Sequence, residues 1–246
     1  MTNPDARGQS IERIKRMVTG FDRLGEGTEF SDYNALRFYN AERAEWNLPR
    51  EGLPLTLLTK GQLDLIEDLL IGIEARGVAG DCIEAGVWRG GAVITIRAIL
   101  DSLGMTEKQL IAADSFEGIP PSTRFRHDPV DLWTDRWIAS LDEVKSNVAA
   151  AGMQDGRIEF LQGFFADTLP DLTGRRFSFI RLDSDSHDSV MDSLEWLYPL
   201  LDPGGVILVD DWHLFGCRLA IDNYRKHHRI TDPIEVRAGN GFWIKS

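Results

Sequence analysis

The chain has 246 residues, with 27 lysines and arginines against 39 aspartates and glutamates and a formal net charge of −12. That length can bury one sizeable core, and the excess of acid opposes any partner that presents a phosphate backbone. Two cysteines, Cys82 and Cys217, are too few for a disulfide scaffold and stand in no metal-binding spacing, and no apolar run is long enough to span a bilayer. A soluble, cytoplasmic protein with no nucleic-acid or membrane partner is expected.

In chain order, residues 1–58 read as a helical N-terminal extension, and 59–246 as a Rossmann-like core within one domain. Inside the extension, "SDYNALRFYNAERAEWN" opens with a cap at Ser31 or Asp32 and carries apolar residues at helical spacing, which predicts a helix. Thr59 precedes Leu63, Ile66, Leu70 and Ile73, again a helical repeat. "DCIEAG" then predicts a strand, "AVITIRAIL" a helix, "QLIAADS" a strand, and "SLDEVKSNVAAAG" a helix whose Ser140 and Glu143 form a capping box. "RIEFLQG" and "RFSFIRLD" are strands, "SVMDSLEWLYPLL" a helix stopped by "DPGG", "VILVDD" a strand and "CRLAIDNYRKHH" a helix. Asn240-Gly241 predicts a tight turn between two final antiparallel strands. The alternation implies an α/β fold, a doubly wound and mostly parallel sheet with an antiparallel C-terminal hairpin, and such sheets bind ligands beyond the carboxyl ends of their strands.

Strand ends are therefore where function is sought. In "IEAGVWRGG" the glycines allow close approach of a ligand at a helix start, while Trp88 and Arg89 break the G-x-G-x-x-G pattern that a pyrophosphate needs. Asp114 ends the next strand, placed for both hydroxyls of a ribose or for capping a turn; Trp88 also reads as packing and Arg89 as a solvated charge. In "RLDSDSHDS", Asp183 and Asp185 share one side of an extended chain, and Asp210 and Asp211 end the strand that follows. Two like charges about 4 Å apart repel by ~4 kcal/mol at an effective dielectric near 20, so four such acids call for protons or a cation. Carboxylate oxygens suit Mg²⁺, with Asp183, Asp210 and Asp211 as ligands; helix capping by Asp185, Ser186 or Asp211 is the plainer alternative.

"GDCIEAGVWRGGA", "AADSFEGIP", "GFFADTLP", "RLDSDSHDS" and "GGVILVDDW" resemble the TylF-type macrocin O-methyltransferases over roughly residues 55–230. Those are class I S-adenosylmethionine enzymes that methylate sugar hydroxyls in natural-product biosynthesis. The resemblance implies Mg²⁺ on Asp183, Asp210 and Asp211, with Asp185 as the general base that frees the hydroxyl for attack on the sulfonium methyl. On the donor side it implies Glu84, Gly86 and Gly90 at the methionine end, with Val87, Trp88 and Asp183 beside them. Asp114 would hold the ribose, Ser115 and Phe116 would lie along the adenosine, and Gly163 and Phe164 would border the adenine. Thr56 and Leu57 match a stretch whose backbone touches the donor's carboxylate, with Leu57 where relatives often carry methionine.

The pattern departs at His187, which stands where the family commonly shows tyrosine, so a second proton acceptor or cation ligand is considered there, and His213 likewise. His127, His227 and His228 read as surface or lid residues. The long segment 119–137, with Arg124, Phe125, Arg126, Trp133 and Trp137, reads as a lid that recognises the acceptor, its aromatics covering a sugar face or its arginines meeting a nucleotide-linked phosphate. A homodimer or higher oligomer is implied by the resemblance. A NAD-dependent oxidoreductase and a noncatalytic sugar-binding relative share the fold and are the alternatives.

Overall fold

Alternate residues of the central strands are apolar on both sides, so the sheet they form must be covered on both faces. In the computed structural model, which describes residues 4–126, 128–132 and 137–246, the chain opens with α1 (Pro4–Thr19) and the short α2 (Phe21–Leu24), then a hairpin of β1 (Tyr39–Asn40) and β2 (Glu45–Trp46). The core follows: α3 (Lys60–Ala75), β3 (Asp81–Ala85), α4 (Gly91–Ser102), β4 (Leu110–Asp114), α5 (Leu141–Ala150), β5 (Ile158–Gln162), α6 (Phe165–Thr168), β6 (Phe177–Leu182), α7 (His187–Leu197), β7 (Leu201–Val209), α8 (Phe215–His228), β8 (Glu235–Arg237) and β9 (Asn240–Ile244). Seven strands run in the order β5-β4-β3-β6-β7-β9-β8; the first five are parallel, and β9 and β8 are antiparallel. This is the doubly wound sheet that the alternation implied.

Cys82, Leu110, Ala112, Phe179, Val206 and Leu208 face α1, α3, α4 and α5, while Ile83, Ile111, Ile180, Ile207 and Val209 face α7 and α8. Each fully buried Leu or Ile contributes ~1.5–3 kcal/mol, which is why helical propensity alone need not decide these elements. Ile11 and Val18 of α1 lie in the same apolar cluster as α3 and α4.

Four local expectations change, the first at "DPGG", which stops no helix: α7 ends at Leu197 and residues 202–205 already belong to β7. Residues 31–47 are not one helix but two 3₁₀ turns, Phe30–Asp32 and Ala35–Phe38, and the β1–β2 hairpin. Short polar side chains win there: Asn34 Oδ1 accepts from the Leu36 N–H at 2.9 Å, and Asn40 Oδ1 accepts from the Glu42 and Arg43 N–H groups at 3.1 Å. The C-terminal hairpin turns at Ala238-Gly239, with φ of 52° and 85°, and Asn240 is already paired with Arg237. At α5, Ser140 accepts from the Glu143 N–H, but the Glu143 carboxylate takes Arg50 and Arg89 instead of closing the box. The box that does close is Thr59 with Gln62 at the start of α3.

Candidate active site

A cavity of about 990 Å³ opens at the carboxyl ends of β3, β4, β6 and β7 and is walled on one side by the extension, through Asn34, Leu36, Tyr39 and residues 55–59. Its volume stands at the upper end of the range for small-molecule pockets.

Arg181, which the sequence reading did not weigh, organises the floor. Its Cα partner on β3 is Glu84, Asp183 lies two residues on, just past the end of its own strand, and Asp210 lies two residues beyond its β7 partner Leu208. The pleat therefore turns all three acids to the side of one wholly buried guanidinium. Nη1 donates to Glu84 and, at 2.8 Å, to Asp183; Nη2 donates to Asp210 at 2.8 Å. A charge inside an otherwise apolar strand was the available signal, because a buried charge must be paired.

One cation is not enough for these acids. Carboxylate oxygens of Asp183, Asp210 and Asp211 lie within 4.8 Å of one another, and Asp185 and Glu84 line the same cavity. Burial, Asp210 and the Asp114 carboxylate push the Glu84 carboxyl up to about 7 against the pull of Arg181. Burial and Asp210 push Asp185 up to about 6, and burial with neighbouring carboxylates holds Asp183 and Asp211 well above the usual range. Glu84 Oε2 is buried and without a partner among the described residues. Capping does not account for the surplus, because Ser186 caps α7 and no side chain caps α8. Hard oxygen donors with unmatched negative charge fit a divalent cation such as Mg²⁺.

Asp183 and Asp185 reach the cavity by a different route from the one expected. The strand ends at Leu182, and Asp185 sits in a turn with φ of 56°, its N–H donating to Asp211 Oδ2 at 2.9 Å. Gly86 makes the close approach possible: a Cβ there would lie 1.6 Å from the Asp183 carbonyl oxygen, and φ is 98°.

Among the donor-side candidates, Thr56, Leu57, Glu84, Gly86, Val87, Trp88, Asp114, Ser115, Phe164 and Asp183 line the cavity. Asp114 both lines it and holds the turn: its carboxylate accepts from the N–H groups of Val87 and Phe116, each at 2.7 Å, and Trp88 at 3.3 Å. Gly90, Phe116 and Gly163 are not on the wall. Gly90 starts α4 at φ 88°, Gly163 turns the chain after β5 at φ 141°, and Phe116 is buried in the core at φ 58°.

His187 also stands off the cavity. It is buried at the start of α7, its Nδ1 lies 3.0 Å from Asp188 Oδ1, and its ring packs on Phe125, so the proton-accepting role considered for it gives way to an anchoring one. His213 does line the cavity. Arg89 is not a solvated charge: it is buried and donates to Glu143 and to the carbonyls of Leu53 and Pro54. Arg124 lines the cavity but pairs with Asp192 and the Asp188 carbonyl. Trp137 packs with Tyr39, Trp46 and Trp88 as an aromatic cluster, of which Tyr39, Trp88 and Trp137 line the cavity; His127 and Trp133 lie outside the described residues.

Residues 27–245 match the family model of the macrocin O-methyltransferases, TylF. The chain belongs to the TylF macrocin O-methyltransferase family. The match takes in part of the extension, beyond the stretch whose motifs carried the resemblance. The chain is 39% identical over 195 residues to the 8-demethyl-8-(2,3-dimethoxy-alpha-L-rhamnosyl)-tetracenomycin-C 4'-O-methyltransferase of Streptomyces olivaceus, covering 76% of this chain and 74% of that one. It is 38% identical over 183 residues to the mycinamicin III 3''-O-methyltransferase of Micromonospora griseorubida, covering 69% and 70%. Among solved structures, the O-methyltransferase NovP superposes with a TM-score of 0.83 at 27% identity, covering 98% of this chain and 99% of that one. TylF membership favours O-methyl transfer over the oxidoreductase that the same sheet could carry. Among the described residues, no helix is long and apolar enough to cross a membrane.

Proposed function

We propose that this protein transfers the methyl group of S-adenosylmethionine to a sugar hydroxyl of a natural-product glycoside or nucleotide-linked sugar, with Mg²⁺ held by Asp183, Asp210 and Asp211. The observation that carries the reading is the meeting of these three carboxylates with Asp185, Glu84 and Asp114 on the wall of one cavity. A relative named for acting on a rhamnosyl-bearing tetracenomycin supports a sugar as the acceptor. Secondary-metabolite biosynthesis is the setting that the relatives' names support.

Glu84 and Asp114 bind the donor at its methionine and ribose ends, and the Thr56–Leu57 stretch closes over it. Asp185 removes the hydroxyl proton: its burial beside Asp210 raises its affinity for a proton, and its N–H bond to Asp211 keeps it next to the ligand set. A bound Mg²⁺ would stabilise the negative charge that develops on the acceptor oxygen. As the oxygen–carbon bond forms, the sulfonium–methyl bond breaks, the proton goes to Asp185, and S-adenosylhomocysteine and a methyl ether leave. Both substrates held at attack distance supply much of the acceleration, with no covalent enzyme intermediate. Tyr39 and Trp137, which line the cavity beside the donor-side Trp88, border the acceptor.

The test is a methylation screen of nucleotide-linked deoxysugars and finished glycosides with S-adenosylmethionine, in Mg²⁺ and in EDTA. Methylated product on at least one sugar, lost with the chelator and restored by Mg²⁺, is expected. Tight binding of NADH with no binding of S-adenosylmethionine would overturn the reading.

A further inference from the structure

Asp210 is oriented by more than its charge. Its Oδ1 accepts from Arg181 Nη2 at 2.8 Å and from Asn240 Nδ2 at 2.9 Å, while Oδ2 has no protein donor among the described residues. Asn240 is wholly buried. It reaches Asp210 because β9 runs antiparallel beside β7 with Val209 opposite Gly241, so the next position along brings Asn240 level with Asp210.

The amide of Asn240 cannot turn over without loss. Its Oδ1 accepts from Gln62 Nε2 at 2.8 Å, and Gln62 Oε1 in turn accepts from the Thr59 N–H and hydroxyl, each at 2.9 Å. A backbone N–H at one end and a carboxylate at the other thus fix both amides in a single sense. Neither amide neutralises charge. A buried apolar pair would fill the same space without two polar groups to satisfy, so what the amides supply is direction.

Resting on the Mg²⁺ reading above, we propose that Asn240, aligned by Gln62, is a positioning residue that presents Oδ2 of Asp210 to the cation and ties the ligand set to the donor-side stretch ending at Thr59. Groups that orient a metal ligand in this way typically change metal affinity 10–100-fold.

Mn²⁺ binding to the full chain, read by electron paramagnetic resonance of the free ion, tests this alongside the thermal midpoint of each variant. The parent is expected to bind Mn²⁺ at one site that Asp210→Asn abolishes. Asn240→Leu, near in volume but without the donor, is expected to weaken binding by about 10–100-fold, and Gln62→Met to weaken it by a smaller factor. If the parent binds no Mn²⁺, the metal reading fails and this inference with it. If the parent binds and both variants bind as tightly, even at a lower midpoint, the two amides only clamp β9 to α3 and the positioning role is overturned. Should Asn240→Leu not fold, Gln62→Met, on the cavity wall, decides alone.

Discussion

Asp185 is the residue on which the proposed chemistry turns, and its geometry makes a clean substitution available. Its backbone N–H donates to Asp211 Oδ2 whatever the side chain, so Asp185→Asn keeps that bond and removes the proton acceptor. Turnover is expected to fall by ~10²–10⁴-fold, with S-adenosylhomocysteine affinity by calorimetry unchanged; unaltered turnover would take Asp185 out of this role. The acids were legible because they stand at strand ends, where doubly wound sheets gather function. Arg181 and Asn240 were not weighed. The charge of Arg181 inside "FSFIRL" calls for a partner, but only the register shows that Glu84, Asp183 and Asp210 supply it, and Asn240 read as a turn residue because Asn-Gly is a commoner turn signal than the Ala-Gly used here.

At the scale of elements, the loop after β4 is pinned to α7 by one carboxylate. Asp188 Oδ2 accepts from the Thr123 N–H at 2.6 Å and the Arg124 N–H at 2.8 Å, with the Thr123 hydroxyl at 3.1 Å. Burial would raise this carboxyl, but the Arg124 and Thr123 N–H groups and His187 outweigh it and hold it down to about 2. A carboxyl depressed on folding stabilises above its unfolded value and loses that contribution as pH falls through its folded one. Asp188→Asn is therefore expected to cost about 1–2 kcal/mol at neutral pH, allowing for solvent screening at the loop. The gap between variant and parent in urea unfolding should close from pH 4 toward pH 2; a gap constant over that range would contradict the assignment. Elements themselves were legible wherever apolar periodicity ran on, as in α3, α4 and the five parallel strands. Between residues 30 and 47 it did not suffice, because Asn34 and Asn40 satisfy local backbone N–H groups in turns and Tyr39 and Trp46 meet as a tilted cross-strand pair.

Across the whole molecule, the extension and the sheet make one site. Ile11 and Val18 bury against the helices of the first face, Arg89 ties Leu53 and Pro54 to α5 through Glu143, and Asn34, Leu36, Tyr39, Ala41 and residues 55–59 wall the cavity over the strand tips. The sheet could be foreseen from alternation alone, whereas the extension's contribution depends on contacts between residues far apart in the chain. What unites these features is a concentration of acid that one buried arginine cannot balance, on the wall of the cavity in which the proposed donor and acceptor would meet. The direct measurement is anomalous scattering from crystals grown with Mn²⁺ and S-adenosylhomocysteine. One peak within coordination reach of Asp183, Asp210 and Asp211, next to the bound nucleoside, is expected; nucleoside density beside an acid cluster that carries no anomalous peak would contradict the account.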